Sequence, residues 1–316
     1  MIAIITAFAT MVLQQPPPMA VVPAPMPPAL ATQVMLDRAG FSPGPIDGRM
    51  GPHTRRALEA FRKHRGDQST PPEPPLATYT ITAKDVEGPF VPEIPEDMVE
   101  KARLPALGYR SILEALSERF HTTPALLEQL NPGIRFEAGA AINVPNVAPF
   151  APPAPRKEPT DAVGTAGKSG SAEDAAGARP DVVVTVREKT SDVTVTDVAG
   201  QVVMYAPVTT GSENDPLPIG EWKVNGVRFN PTFHYNPDLF WDAEPSHSKA
   251  IVPAGPNNPV GFVWIDISKP HYGIHGTPEP SAVGRTASHG CIRLTNWDAV
   301  KLAGLVKPGT RVVFEP

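Results

Sequence analysis

One cysteine in 316 residues excludes a disulfide framework within the chain. No run of lysine and arginine stands out, and the formal net charge is −5, so there is no basic field to hold nucleic acid. Long hydrophobic runs are also missing. The apolar stretch at residues 2–13 is shorter than the roughly 20 residues a bilayer span needs, so no stable membrane span is expected. That stretch suits the h-region of a secretory signal over residues 1–20, and no cysteine follows it to carry a lipid anchor. Export to a periplasm or cell wall is the expectation. In that setting a lone cysteine has no partner in its own chain, so it is either an accident or a working thiol.

Proline is abundant, with 41 residues crowded into 16–28, 71–105 and 145–180. Such stretches read as linkers or irregular segments, and the length favours several domains. Residues 29–66 read as two helices around the turn residues Asp47, Gly48 and Gly51, with Ala57, Leu58 and Phe61 on one face of the second. Gly40-Phe41, Pro45-Ile46-Asp47-Gly48, Thr54 and Ala57-Leu58 followed by Phe61 resemble the peptidoglycan-binding-1 domain. Residues 79–147 hold a strand at 79–82, helices at 111–120 and after Thr123-Pro124, and a strand at 141–145. The helix–helix–strand part resembles a LysM domain, whose ligand is a glycan; here about 25 extra residues precede it. Residues 148–180 lack any apolar period and read as a linker tethering the last domain near whatever the front modules hold.

From Asp181 the texture changes. Valine-rich strands are expected at 182–186, 193–195 and 202–205, with further strands at 221–224, 262–267 and 311–314. A helix over 296–306 is capped by Thr295, with Asp298 as its capping-box acid. The expected fold is multi-domain, with small α-helical and α+β modules preceding a mostly-β sandwich or barrel over 181–316 that carries one helix near its C-terminal end.

The only cysteine, Cys291, sits in Ser288-His289-Gly290-Cys291-Ile292-Arg293-Leu294. Acyl transfer by a thiol needs a base to ionise it and donors for the oxyanion. His275 and His289 are both candidate bases, and spacing does not choose between them. Gly290 permits a tight turn that bares the sulfur and leaves N–H groups free. His271, His275, His289 and Cys291 are all metal-ligand types. If 271–275 is a strand, though, its two histidines stand ~13 Å apart and cannot share an ion.

Residues 181–316 resemble the YkuD-type L,D-transpeptidase catalytic domain. The likeness rests on Pro218-Ile219-Gly220-Glu221, Pro253 to Pro259, Tyr272-Gly273-Ile274-His275-Gly276-Thr277, Gly284 and the segment Ser288 to Leu294. It implies Cys291 as nucleophile and His275 as base, with a carbonyl such as that of Gly276 orienting the ring. The N–H groups of His289, Gly290 and Cys291 would form the oxyanion hole beside Ser288, and Tyr272 and Arg293 would meet substrate. The implied reaction attacks the third residue of a peptidoglycan tetrapeptide stem, releases D-alanine and forms a 3→3 cross-link without metal or organic cofactor. It also implies acylation of the cysteine by carbapenems. Water or a lysine of an envelope protein are alternative acceptors, and a non-catalytic wall-binding protein is the alternative of another class.

Overall fold

The computed structural model describes residues 26–66, 73–154 and 180–316. The expected signal segment 1–20 and most of the expected linker, 155–179, lie outside the described residues. In the front half, α1 (Leu30–Arg38) and α2 (Pro52–Arg65) flank a turn. The buried amide of Gln33 stitches that turn to α1, donating to Asp47 Oδ1 and accepting from the Gly48 N–H, both at 2.8 Å. Next, β1 (Leu76–Thr80) pairs antiparallel with β2 (Ala141–Pro145). Between them lie α3 (Ala83–Val86), α4 (Met98–Lys101), α5 (Ile112–Arg119) and α6 (Pro124–Leu130). The first strand ends earlier than its sequence suggests because Thr82 is the N-cap of α3, in a capping box with Asp85.

The second half is one curled sheet. Its strands are β3 (Val182–Arg187), β4 (Asp192–Asp197), β5 (Val202–Pro207), β6 (Gly220–Phe229), β9 (Val263–Ile267), β10 (Gly273–His275), β11 (Ile292–Arg293) and β12 (Arg311–Glu315). They lie in the order β11-β10-β9-β6-β12-β3-β4-β5. A separate hairpin of β7 (Phe233–Tyr235) and β8 (Ala250–Val252) interrupts the chain. Alternation sets the faces: Val182, Val184 and Val186 are buried while their neighbours are half-buried. Beyond β5, Thr209 exchanges both backbone hydrogen bonds with Arg293 of β11, at 2.9 and 3.0 Å. That bridge joins the two ends of the strand order, so the sheet curls shut and leaves no bare edge there. Its interior is filled by Val184, Met204, Ile265, Ile274, Ile292 and Phe314, with Ala299 and Leu302 of α7 (Asn296–Leu305).

The two halves are packed together. Leu36, Phe41, Ala57 and Phe61 share one cluster with Val202 and Tyr205. Phe41 meets Phe61 edge-on at 5.4 Å and stacks on Tyr205 at 6.3 Å. The expected linker starts too early: Phe150 is buried with Phe262 and Trp297, and Asn230 Nδ2 donates to the Pro153 carbonyl at 2.8 Å. The extra residues that separate β1 from α5 also turn inward. Leu107 packs with Tyr235 and Val252, its N–H donates to the Ala254 carbonyl, and Asp97 pairs with His247 at 2.6 Å. Asp298 departs from its expected role as a capping-box acid. Its N–H does cap on Thr295, but its carboxyl accepts from Thr295 Oγ1 at 2.7 Å and from Ser42 Oγ, 256 positions away, at 2.8 Å.

Because Phe41 is fully buried between the halves, Phe41→Ala should cost about 3–5 kcal/mol in chemical denaturation of the full chain. A loss below about 1 kcal/mol would contradict a packed junction.

Candidate active site

Two short parallel strands carry the residues singled out in the sequence. β10 pairs with β11 so that Ile274 faces Ile292 and His275 faces Arg293. Ile274 and Ile292 point into the core. Successive side chains alternate, so His275 and Arg293 share the opposite face, toward which Cys291, two residues before Arg293, also lies.

The His275 ring is held from two sides. β9 places Trp264 opposite His275, and the rings stack at 5.5 Å with 18° between planes. Nδ1 lies 2.6 Å from the Gly276 carbonyl. A carbonyl only accepts, so Nδ1 carries the hydrogen and Nε2 is left with a lone pair. Burial, with help from the Arg293 guanidinium, pushes the imidazole down to about 3, against the pull of the Gly276 carbonyl. The ring is therefore neutral at pH 7.

Cys291 is half-buried and unpaired. Burial raises its thiol above the ordinary value; the Gly273 N–H and the Arg293 charge work the other way, and Asp215 adds to the rise. Its Sγ lies 3.9 Å from the His271 carbonyl. His271 itself stands in a turn with φ 67°, before a strand that begins only at Gly273, which shortens the expected strand 271–275. Gly290 has φ 95°, and a Cβ there would sit 2.6 Å from the Tyr272 ring, so both backbone and space require glycine. Ser288 fastens this turn: its Oγ donates to the Cys291 carbonyl at 2.6 Å and its N–H to the Thr210 carbonyl at 3.0 Å. The N–H groups of His289 and Gly290 have no hydrogen-bond partner among the described residues.

His289 is engaged elsewhere. Its Nε2 lies 2.8 Å from Asp242 Oδ1, and Phe240 and Trp241 pack on the ring at 5.0 and 5.6 Å. These three belong to the loop between β7 and β8. Tyr272 lies under Gly290 and carries the Lys269 ammonium 5.7 Å above its ring. Burial, with the charges of Asp215 and Cys291, raises its phenol, so it remains protonated. Trp264, Asp242 and Asp215 escaped the sequence reading. Asp215 acts on both Cys291 and Tyr272, and its buried Oδ2 has no hydrogen-bond partner. No group of three or more metal-ligand residues is assembled among the described residues.

A buried neutral imidazole and a thiol on one face can pass a proton from sulfur to nitrogen as a carbonyl is attacked. Residues 181–314 match the YkuD family model, an L,D-transpeptidase catalytic domain. The match covers less than half of the chain and makes this segment similar to L,D-transpeptidase catalytic domains. The putative L,D-transpeptidase YkuD of Bacillus subtilis (strain 168) is 51% identical over 59 residues, 19% of this chain and 36% of that protein. The probable L,D-transpeptidase YbiS of Escherichia coli (strain K12) is 37% identical over 117 residues, 35% of this chain and 37% of that protein. The matched segment thus spans little more than a third of these relatives. Among solved structures, L,D-transpeptidase 3 from Mycobacterium tuberculosis with a faropenem-derived adduct aligns with 43% of this chain and 61% of its own. It does so at 18% identity with a TM-score of 0.36, a likeness too weak to argue from.

With the thiol raised and the imidazole lowered, the resting pair is thiol and neutral ring. Alkylation of Cys291 by iodoacetamide, followed by intact mass, should climb steadily with pH into and beyond the ordinary thiol range near 8.5. A rate plateau reached on the acid side of neutrality would mean a preformed thiolate–imidazolium pair.

Proposed function

We propose that the domain at 181–314 is an L,D-transpeptidase that acts on peptidoglycan tetrapeptide stems through an acyl-enzyme on Cys291. As His275 Nε2 takes the thiol proton, Sγ bonds to the carbonyl carbon of the third stem residue. The oxyanion faces the N–H groups of His289, Gly290 and Cys291. His275 returns the proton to the departing D-alanine nitrogen as the C–N bond breaks, leaving a thioester. An acceptor amine then attacks, His275 takes its proton, and the C–S bond breaks to give a 3→3 cross-link and free thiol. Gly276 orients the base through its carbonyl, Ser288 holds the turn, Tyr272 lines the cleft and Arg293 faces a stem carboxylate. These steps balance without metal or organic cofactor.

The observation that carries this reading is the ring of His275, tied through Nδ1 to Gly276 and kept neutral by burial on the face shared with Cys291. His289 fits the base role less well because Asp242 already occupies its Nε2. Holding of glycan strands near the site by the front segments, residues 29–66 and 79–147, and a location in the cell envelope belong to the same proposal. Among the described residues no helix is long and apolar enough to cross a membrane.

Purified disaccharide-tetrapeptide incubated with the full chain should yield dimer and free D-alanine; tripeptide would mean water as acceptor, and neither product would mean a wall-binding protein. His275→Ala should lower turnover by about 10²–10⁴-fold, Cys291→Ala should abolish it, and His289→Ala should retain a measurable part. A carbapenem should leave a mass adduct on wild type and none on Cys291→Ala. If His289→Ala were deader than His275→Ala, the base is misassigned.

A further inference from the structure

One buried carboxyl of the front half reaches the backbone beside His275 through a single intervening side chain. Glu118, in the last turn of α5, is 8% exposed and points across the junction. Its Oε2 accepts from the Tyr109 hydroxyl at 2.5 Å and its Oε1 from Asn296 Nδ2 at 2.7 Å. Asn296, at the start of α7, is fully buried. Its Nδ2 has only one other acceptor, the Pro256 carbonyl at 3.4 Å, and its Oδ1 accepts from the Phe262 N–H at 3.2 Å. That same Oδ1 fills the space over Gly276, where any Cβ would collide with it. Gly276 is the residue whose carbonyl holds Nδ1 of His275.

We propose that Glu118 is a positioning residue for His275, acting through the side-chain amide of Asn296 and the backbone of Gly276. The inference rests on the reading of His275 as the base. An asparagine amide can turn over, exchanging its oxygen and nitrogen. Turned over here, it would set Nδ2 against the Phe262 N–H and Oδ1 against Glu118, two donors and two acceptors facing each other. The Glu118 oxygen and the Phe262 N–H together fix which end of the amide lies on Gly276. A buried carbonyl packed this closely transmits small shifts, because the interior has no slack to absorb them. Front half and catalytic half thus form one catalytic unit, with the front half supplying part of the support for the base. Burial pushes the Glu118 carboxyl up to about 7 despite its two hydrogen bonds, so a glutamine is a close mimic of its neutral form.

The test reads one sulfur atom, since Cys291 is the only thiol in the chain. Intact mass after iodoacetamide treatment at neutral pH follows its alkylation directly, without any peptidoglycan substrate. Glu118→Ala should slow alkylation by about tenfold to a hundredfold, approaching His275→Ala. Glu118→Gln keeps an oxygen toward Asn296 and should retain the wild-type rate. Ser42→Ala cuts a different buried link between the halves, the bond to Asp298, and should lower the Tm while leaving the rate unchanged. Wild-type alkylation in Glu118→Ala, an equal slowing in Ser42→Ala, or a Glu118→Gln as slow as Glu118→Ala would each overturn the proposal. Should His275→Ala alkylate at the wild-type rate, the base reading falls and takes the proposal with it. Should His275→Ala be slow and Glu118→Ala normal, only the proposal falls.

Discussion

An imidazole enclosed by an indole, a guanidinium and its own chain's carbonyl cannot readily carry a charge, and the site is built around that constraint. The Trp264 ring covers one face of His275, and the Arg293 cation repels a second positive charge. The Gly276 carbonyl would favour the protonated ring, but one hydrogen bond does not offset the loss of water. What that carbonyl does achieve is orientation. It selects the Nδ1–H tautomer and so leaves Nε2 as the basic atom. A thiol raised by the same burial rests in its protonated form. In the proposed mechanism proton transfer is coupled to bond formation, and the thiol form shields the cysteine from idle oxidation between turnovers.

Precision of this kind needs stiff supports, and the strands provide them. β11 is only two residues long, yet it is bonded on one side to β10 and on the other to Thr209. Ser288 ties the turn before it to Thr210 and to Cys291 itself. The reactive turn is therefore anchored in the seam where the sheet closes. Placing a site on sheet backbone gives tighter tolerance than placing it on a free loop. The front half adds to the stiffness through Phe41, Phe150, the buried carboxyl of Glu118 and the bond of Ser42 to the buried carboxyl of Asp298; the pKa values of the two acids, about 7 and about 6, report how dry that junction is.

Local chemistry explains what could be read from the sequence alone. The valine alternation in 182–186 and the Thr295 cap are properties of a few neighbouring residues, and they reappear as β3 and the start of α7. The local contacts of His275 with Gly276 and of Ser288 with Cys291 follow from the short spacing within each motif, and β10–β11 pairing sets the two motifs side by side. Register was not legible. Trp264 meets His275 only because β9 and β10 pair as they do, and Asn296 meets Gly276 only because α7 folds back over the strand. Asp298 looked like a local cap and instead bonds Ser42, a partner no periodicity announces. The tether reading failed in a similar way at residues 148–154. Proline content marks irregular backbone, but irregular backbone can still be packed, as Phe150 is.

The central claim is a protonation state, so it can be observed at the ring itself. Nitrogen-15 NMR of histidine-labelled protein, titrated through the acid range, resolves Nδ1 and Nε2 of His275 separately. The account predicts a protonated Nδ1 and a bare Nε2 at pH 7, unchanged down to the neighbourhood of the lowered value of about 3. A ring doubly protonated at pH 7, or one carrying its single hydrogen on Nε2, would contradict it.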